Sequence, residues 1–260
     1  MINEEKTIAD WSADMYEIDE TQTDDVEFLL KCLGTTPKHV LEIACGSGRV
    51  LVPLAKAEHT VTGLDLEESM LAKIPSKAEG MYNITWKMAD VIAEDWGNDY
   101  DAVVIAGNFL MNIISEESPE YAQRLLIEKA KSALKPGGML YIDYNHTYHP
   151  EHWFVHSGER IIWQGTDSHG TKGLMSLSNS TYDMETCMIH ATRRYQLETA
   201  TGVKIHKEVP AVKHYVLLEQ LYIWLEEAGF CIENEYGDYD GNPISEATGR
   251  AIICALFTIK

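Results

Sequence analysis

Up to about residue 146 the apolar positions fall into short continuous runs, and the stretches between them carry a helical period. The segments at 39–44, 60–65, 83–88, 100–105 and 139–143 predict strands, the first of them buried and the fourth continuously apolar after Asp101. Helices are expected over 7–33, 50–55, 67–74 and 118–133. Asp24, Asp25 and Glu27 precede the pair Leu29-Leu30 in the first of these, and Gly34 follows as its stop. Pro53 is tolerable only in the first turn of its helix, and Pro119 lies near the start of its own. Strands that alternate with helices mean a parallel sheet covered on both sides.

Beyond 146 the texture changes to strand-like segments at 160–164, 174–182, 188–197 and 203–209. The turn clusters Asp167-Ser168-His169-Gly170, Asp183-Met184-Glu185 and Thr201-Gly202 separate them, which is an antiparallel pattern. An amphipathic helix over 217–228 ends at Gly229, and two strands follow at 230–236 and 250–259. The fold class expected is α/β: a doubly wound Rossmann-like sheet with an antiparallel β insertion. The organisation expected is a helical segment over 1–36, a core over 37–145, the insertion over 146–214, and the return of the core over 215–260.

Composition narrows the function. The 260 residues include 41 Asp plus Glu against 21 Lys plus Arg, a net charge of −20. Such a field repels phosphate backbones, so neither nucleic acid nor an anionic membrane is an expected partner, while a small amine is tolerated. No run approaches the roughly 18 apolar residues of a membrane span. The acidic start Met1-Ile2-Asn3-Glu4-Glu5-Lys6 lacks a signal-peptide core. Cys32, Cys45, Cys187, Cys231 and Cys254 are odd in number and widely spaced, so a reducing cytoplasm is the expected location.

The informative segment runs from Leu41 to Arg49, at the exit of the first strand, where an open parallel sheet binds ligands. Gly46 and Gly48 let the backbone turn sharply and approach a ligand. Asp65 ends the second strand, 19 residues after Gly46, where an acid can take both hydroxyls of an adenosine ribose. A dinucleotide fingerprint wants a third glycine where Leu51 stands, which counts against a nicotinamide-dependent oxidoreductase, and no Gly-Lys-Ser/Thr is present for a P-loop. Glu42, four residues before Gly46, suits an ammonium or sulfonium ligand and is wrong for pyrophosphate.

Glu42-x-x-Cys45-Gly46-x-Gly48, taken with Asp65, Asp90, the Asn108 loop and Lys135-Pro136-Gly137-Gly138, resembles the class I S-adenosylmethionine-dependent methyltransferases. The resemblance spans about 37–145 and resumes over 217–259, with Ala44 standing where many members carry glycine. It implies S-adenosyl-L-methionine as cofactor. By the same resemblance Glu42 organises the loop over the methionine ammonium, and Ala44, Gly46 and Gly48 line the methionyl and ribose portion. Asp65 holds the ribose, with Leu66 and Met70 beside the adenine and Asp90 and Val91 at its edge. Ala106, Gly107 and Asn108 sit under the sulfonium. For Met70 ordinary packing, and for Asp90 a solvated cap, are the competing uses. Trp11 and Tyr16 lie on an N-terminal segment of the kind that closes over the cofactor in related enzymes. Tyr16 is a candidate for contact with cofactor or acceptor, and for a catalytic part, with plain packing as the alternative.

The acceptor is less legible. The sequence after the fourth strand, Ala106-Gly107-Asn108-Phe109, lacks the Asn-Pro-Pro-Tyr of nucleobase and protein-amide methylation, so a small molecule is expected. The insertion resembles in placement those of glycine and amino-sugar N-methyltransferases, which implies an acceptor cap and a route to a homo-oligomer. Asn108, Tyr144, His146 and Arg194 are the candidate acceptor contacts, with His146 as proton acceptor. Arg193 and Arg194 are adjacent on a strand, so one faces inward, where it either clamps a carboxylate or joins a structural ion pair. His146, His149, His152 and His156 are closely spaced, but Pro150 interrupts them, and no metal is expected. The expected reaction is methyl transfer to a small amine. O-methylation of a small hydroxyl compound and a non-catalytic nucleoside-binding protein of the same fold remain open.

Overall fold

The computed structural model describes residues 3–113, 115 and 117–258. Along the chain come α1 (Glu4–Asp19), α2 (Asp24–Leu33), β1 (His39–Ile43), α3 (Leu51–Lys56), β2 (Thr60–Asp65), α4 (Glu68–Leu71), α5 (Ile74–Lys77), β3 (Ile84–Met88), β4 (Tyr100–Ile105), α6 (Phe109–Asn112), α7 (Pro119–Ala133) and β5 (Leu134–Asn145). Then follow α8 (Pro150–Trp153), β6 (His156–Thr166), β7 (Lys172–Asp183), β8 (Met188–Glu198), β9 (Lys204–His214), α9 (Leu218–Ala228), β10 (Phe230–Tyr236) and β11 (Arg250–Phe257). The helix expected over 7–33 is two helices. Asn3 caps α1, its Oδ1 accepting from the Lys6 N–H at 3.2 Å, and a polar stretch at 20–23 separates it from α2. The helix expected over 67–74 is likewise split into α4 and α5. Ile259, expected to end the last strand, lies outside the described residues, as do Met1, Ile2 and Lys260.

The chain divides into two units. One holds residues 23–148 and 216–260, built on a seven-stranded sheet of order β10-β11-β5-β4-β1-β2-β3. From β3 to β5 the strands are parallel; β11 runs antiparallel to β5, and β10 antiparallel to β11. The central parallel strands β1 and β4 are apolar on both faces because both faces are covered: Val40, Leu41, Ala102, Val103 and Val104 are completely enclosed; the edge strand β3, whose Met88 is 60% exposed, is not. Strand order reverses between β1 and β4, and that switch point opens a crevice at the strands' carboxyl ends. At Gly63 on β2 a Cβ would lie 2.6 Å from the Cys45 sulfur, so only glycine lets the turn after β1 lie this close to the sheet.

The other unit holds residues up to 22 together with 149–215. The N-terminal segment expected as one piece over 1–36 is thus shared, with α1 in this unit and α2 in the first. Its sheet, ordered β6-β7-β8-β9, is antiparallel throughout. Met175, Tyr195, Leu197 and Ile205 form its apolar core with Ile8, Trp11 and Met15 of α1. The pair Gly165↔Gly173 makes room for the helix. A Cβ on Gly165 would meet the Met15 sulfur at 2.7 Å, and one on Gly173 would meet Trp11 at 2.5 Å. Trp11 is completely buried there, and its indole N–H donates to the Gly165 carbonyl at 3.3 Å.

Candidate active site

The turn after β1 is held in a conformation that most residues avoid. Ala44, Gly46 and Gly48 have φ of 57°, 54° and 80°. The two glycines take this region freely, while Ala44 bears about 1 kcal/mol or more of strain where a glycine would bear none. Space also matters: a Cβ at Gly46 would lie 3.1 Å from the Met70 methyl, and one at Gly48 3.1 Å from Ile74. Met70 therefore packs against the turn itself. The Cys45 N–H donates to Leu64 on β2, and the Gly48 N–H to Cys45.

Glu42 lies on β1 beneath this turn. It is buried, and its Oε2 has no hydrogen-bond partner. Burial drives its pKa well above the usual carboxylate range; the Arg49 charge opposes this, and Asp65 and Asp25 reinforce it. A buried acid with an open acceptor oxygen is suited to a cationic ligand or a donor delivered by one. Arg49 is engaged elsewhere: its guanidinium grips Asp25 of α2 bidentately, at 2.8 and 2.6 Å. That pair ties α2 to the glycine turn, and sequence reasoning did not find it.

Asp65 closes β2. Its Oδ2 accepts from the Gly46 N–H at 2.7 Å, and its Oδ1 from the Glu67 N–H at 2.8 Å. The Leu66 N–H adds a third backbone donor, which leaves the carboxylate acceptor capacity for a ligand hydroxyl. Burial raises its pKa against those backbone hydrogen bonds. Beside it Leu66 is 61% exposed and Met88, paired with Asp65 in register, is 60% exposed. Two apolar side chains held out at one strand edge make a surface that an aromatic base would cover; Met88 was not anticipated. Asp90 is exposed and serves as a cap, its Oδ1 accepting from Ile92 and Ala93 at 2.8 and 3.3 Å. Val91 is buried, and its carbonyl accepts from the Trp96 indole at 2.8 Å.

At the ends of β4 and β5 the chain is cross-tied. Gly107 and Asn108 follow Ala106 with φ of 62° and 67°. The Asn108 side-chain oxygen accepts from the Asn145 N–H at 2.6 Å, and its own N–H donates to the Asp143 carbonyl at 3.3 Å. Below lies a buried ionic group. Arg250 on β11 donates to Asp143 Oδ1 at 2.6 Å and to Asn145 Oδ1 at 2.7 Å, while the Tyr239 hydroxyl donates to Asp143 Oδ2 at 2.9 Å. Burial pushes the Asp143 carboxyl up, and the Arg250 charge pulls it back. Tyr144, expected at a pocket rim, is fully buried. His146 is also buried, with its N–H donated to the Gly249 carbonyl and its ring edge-on to Tyr144 and Tyr148. Burial lowers its pKa, with Glu219 acting in the opposite direction.

The structure thus brings Glu42, Ala44, Gly46, Gly48, Asp65, Leu66, Met70, Asp90, Val91, Ala106, Asn108, Tyr144 and His146 into one unit. Tyr16 and Arg194 belong to the other. Tyr16 is half-buried on α1. Arg194 is an ion-pair residue, with Glu208 at 2.8 Å and Glu159 at 3.8 Å. Of the expected histidine cluster, His149 and His152 flank Glu151 with ligand atoms within 4.8 Å of one another, on the surface.

Residues 40–138 match the family model described as a methyltransferase domain. A protein of Geobacillus sp. (strain WCH70) that carries a methyltransferase name is 28% identical over 223 residues, 84% of each chain. A solved S-adenosylmethionine-dependent methyltransferase from Clostridium acetobutylicum ATCC 824 superposes with a TM-score of 0.74 at 14% identity, covering 99% of this chain and 100% of that one. An amino pentose methyltransferase from Micromonospora echinaspora, solved with its cofactor bound, gives 0.64 at 15% identity, covering 99% and 98%. The fold and the glycine-turn site define the class I methyltransferase architecture, and this protein is an S-adenosylmethionine-dependent methyltransferase. Its residues fit the cofactor: the open oxygen of buried Glu42, the Cβ-free approach at Gly46 and Gly48, and the remaining acceptor capacity of Asp65.

Proposed function

We propose that the enzyme methylates the nitrogen of a small-molecule amine, with His146 as proton acceptor. The observation that carries this reading is the buried imidazole at the carboxyl end of β5, one residue from the Asn145 N–H that Asn108 binds. Bound adenosylmethionine supplies the electrophilic methyl group. Glu42 and the glycine turn hold its cationic end, Asp65 its ribose, and Leu66 and Met88 flank its base. Only the free base of the amine attacks, and a neutral imidazole at the site takes the proton that the arriving ammonium must lose first. Because burial holds His146 below the usual value near 6.5, it is neutral at pH 7. The likeness in fold to an amino pentose methyltransferase supports an amine acceptor.

In this reading the antiparallel unit serves acceptor recognition and self-association, and the protein works in the cytoplasm. Cys32, Cys45, Cys187, Cys231 and Cys254 are all free thiols, and among the described residues no helix is long and apolar enough to cross a membrane.

Calorimetry is expected to show adenosylhomocysteine binding at micromolar Kd or better, and no NAD binding; NAD binding alone would overturn the cofactor roles. His146→Ala is expected to lower turnover about tenfold or more, or about 1.4 kcal/mol of barrier, with cofactor affinity nearly unchanged. The acid limb of the wild-type rate profile should lie below about pH 6.5, since activity falls only as the imidazole protonates. Full activity of His146→Ala on the acceptor would remove it from the reaction.

A further inference from the structure

Two cations share the face of the antiparallel sheet that also packs against α1. Side chains alternate along β8, so Arg193 lies on the same side as Ile189, Tyr195 and Leu197, and Arg194 lies on the other. Lys213 on β9 is opposite Ile189 in the register, and Arg193 is opposite Val209 and Leu177. The rung between the two cations is Ala191↔Ala211, which sets only two methyl groups between the long side chains.

Neither cation has an acid. Arg193 Nε is buried without a hydrogen-bond partner, and among the described residues neither Arg193 nor Lys213 forms an ion pair. The contrast with their neighbours is local. Arg194, on the opposite face, is held by Glu208 and Glu159, and Lys207 on β9 is held by Glu5. In a chain with 41 acids for 21 bases, two cations on one sheet face left without a carboxylate demand a reason. Both side chains are half-buried, and holding them there without an acid costs free energy that a bound anion would return. Lys213 registers the cost: burial first, and the Arg193 charge second, bring its pKa down to about 8.

We propose that Arg193 and Lys213 form an oxyanion site on this face, which takes the carboxylate or phosphate of a small molecule. A guanidinium offers a planar fork and an ammonium a point charge, a pairing that suits either group. The site stands within the antiparallel unit and does not depend on the amine assignment.

The test is acylation of lysines in the full-length protein at pH 8, resolved by peptide mass spectrometry, with ionic strength held constant by chloride. A bound anion protonates and shields Lys213, so saturating inorganic phosphate or acetate should slow its modification about fivefold, the effect at pH 8 of a pKa rise of about one unit from about 8. Exposed Lys56 should be unaffected. Whichever anion protects at the lower concentration identifies the group the site prefers. Protection should disappear in Arg193→Met and persist in Arg194→Met. Equal modification of wild-type Lys213 with and without both anions would overturn the proposal, as would undiminished protection in Arg193→Met.

Discussion

Arg250→Met is expected to destabilise the enzyme by about 3–5 kcal/mol, read as a fall in the urea midpoint. The side chains of Arg250 and Asp143 are only 18% and 1% exposed, so removing the guanidinium strands a carboxylate in the core. The tyrosine hydroxyl of Tyr239 remains, but one neutral donor cannot replace the charge. The pH dependence follows from the sign. Without Arg250 the Asp143 carboxyl titrates well above its unfolded value, so the folded state holds a proton that the unfolded state releases. The variant's deficit should therefore be smallest in acid and grow as pH rises through the carboxylate range. Pairing the change with Asp143→Leu should recover most of the loss. A deficit below about 1 kcal/mol would show that the pair contributes no more than a surface contact. The same group underlies the Asn108 loop through Asn145 and the Asp143 carbonyl, so turnover should fall in step.

Asp65→Ala is expected to weaken adenosylhomocysteine binding roughly 30- to 1000-fold, about 2–4 kcal/mol. Two terms act together. The ribose hydroxyls lose their acceptor, and the Gly46 and Glu67 N–H groups lose theirs, which loosens the turn that approaches the ligand. Asp65→Asn separates the terms, since its carbonyl can still accept one of those N–H groups. A folded Asp65→Ala protein with unchanged affinity would show that the ribose is bound elsewhere.

What could be read from the sequence depended on how local each arrangement is. The central parallel strands were legible because burial on both faces writes itself as an unbroken apolar run, as at Ala102–Ile105. β6 was legible only over 160–164, since its first residues are exposed and polar. The one-turn helices α6 and α8 are too short to show a period. Glu42, Gly46, Gly48 and Asp65 stand on neighbouring strand ends, and their spacing names them together. The ion pairs behind them do not announce themselves. Arg49 finds Asp25 across 24 positions and Arg250 finds Asp143 across 107, in a chain where any base has many acids to choose from. Arg193 and Arg194 show a signal that was present and not used. Alternation said that one faces inward, and the apolar residues Ile189, Tyr195 and Leu197 share the odd positions with Arg193.

The glycine pair that receives Trp11 and Met15 sets a schedule for biosynthesis. The helix that fills the groove is made before the strands that form it, the first of which starts only at His156. At about 5–20 residues per second on the ribosome, α1 waits on the order of ten seconds for its sheet. Throughout that interval Ile8, Trp11 and Met15 have no native surface to cover them, while the first five strands of the other unit are already available to pair. A nascent chain of this protein therefore exposes a chaperone-binding stretch at α1, and full protection of α1 amides from hydrogen exchange should appear only once synthesis has passed β9.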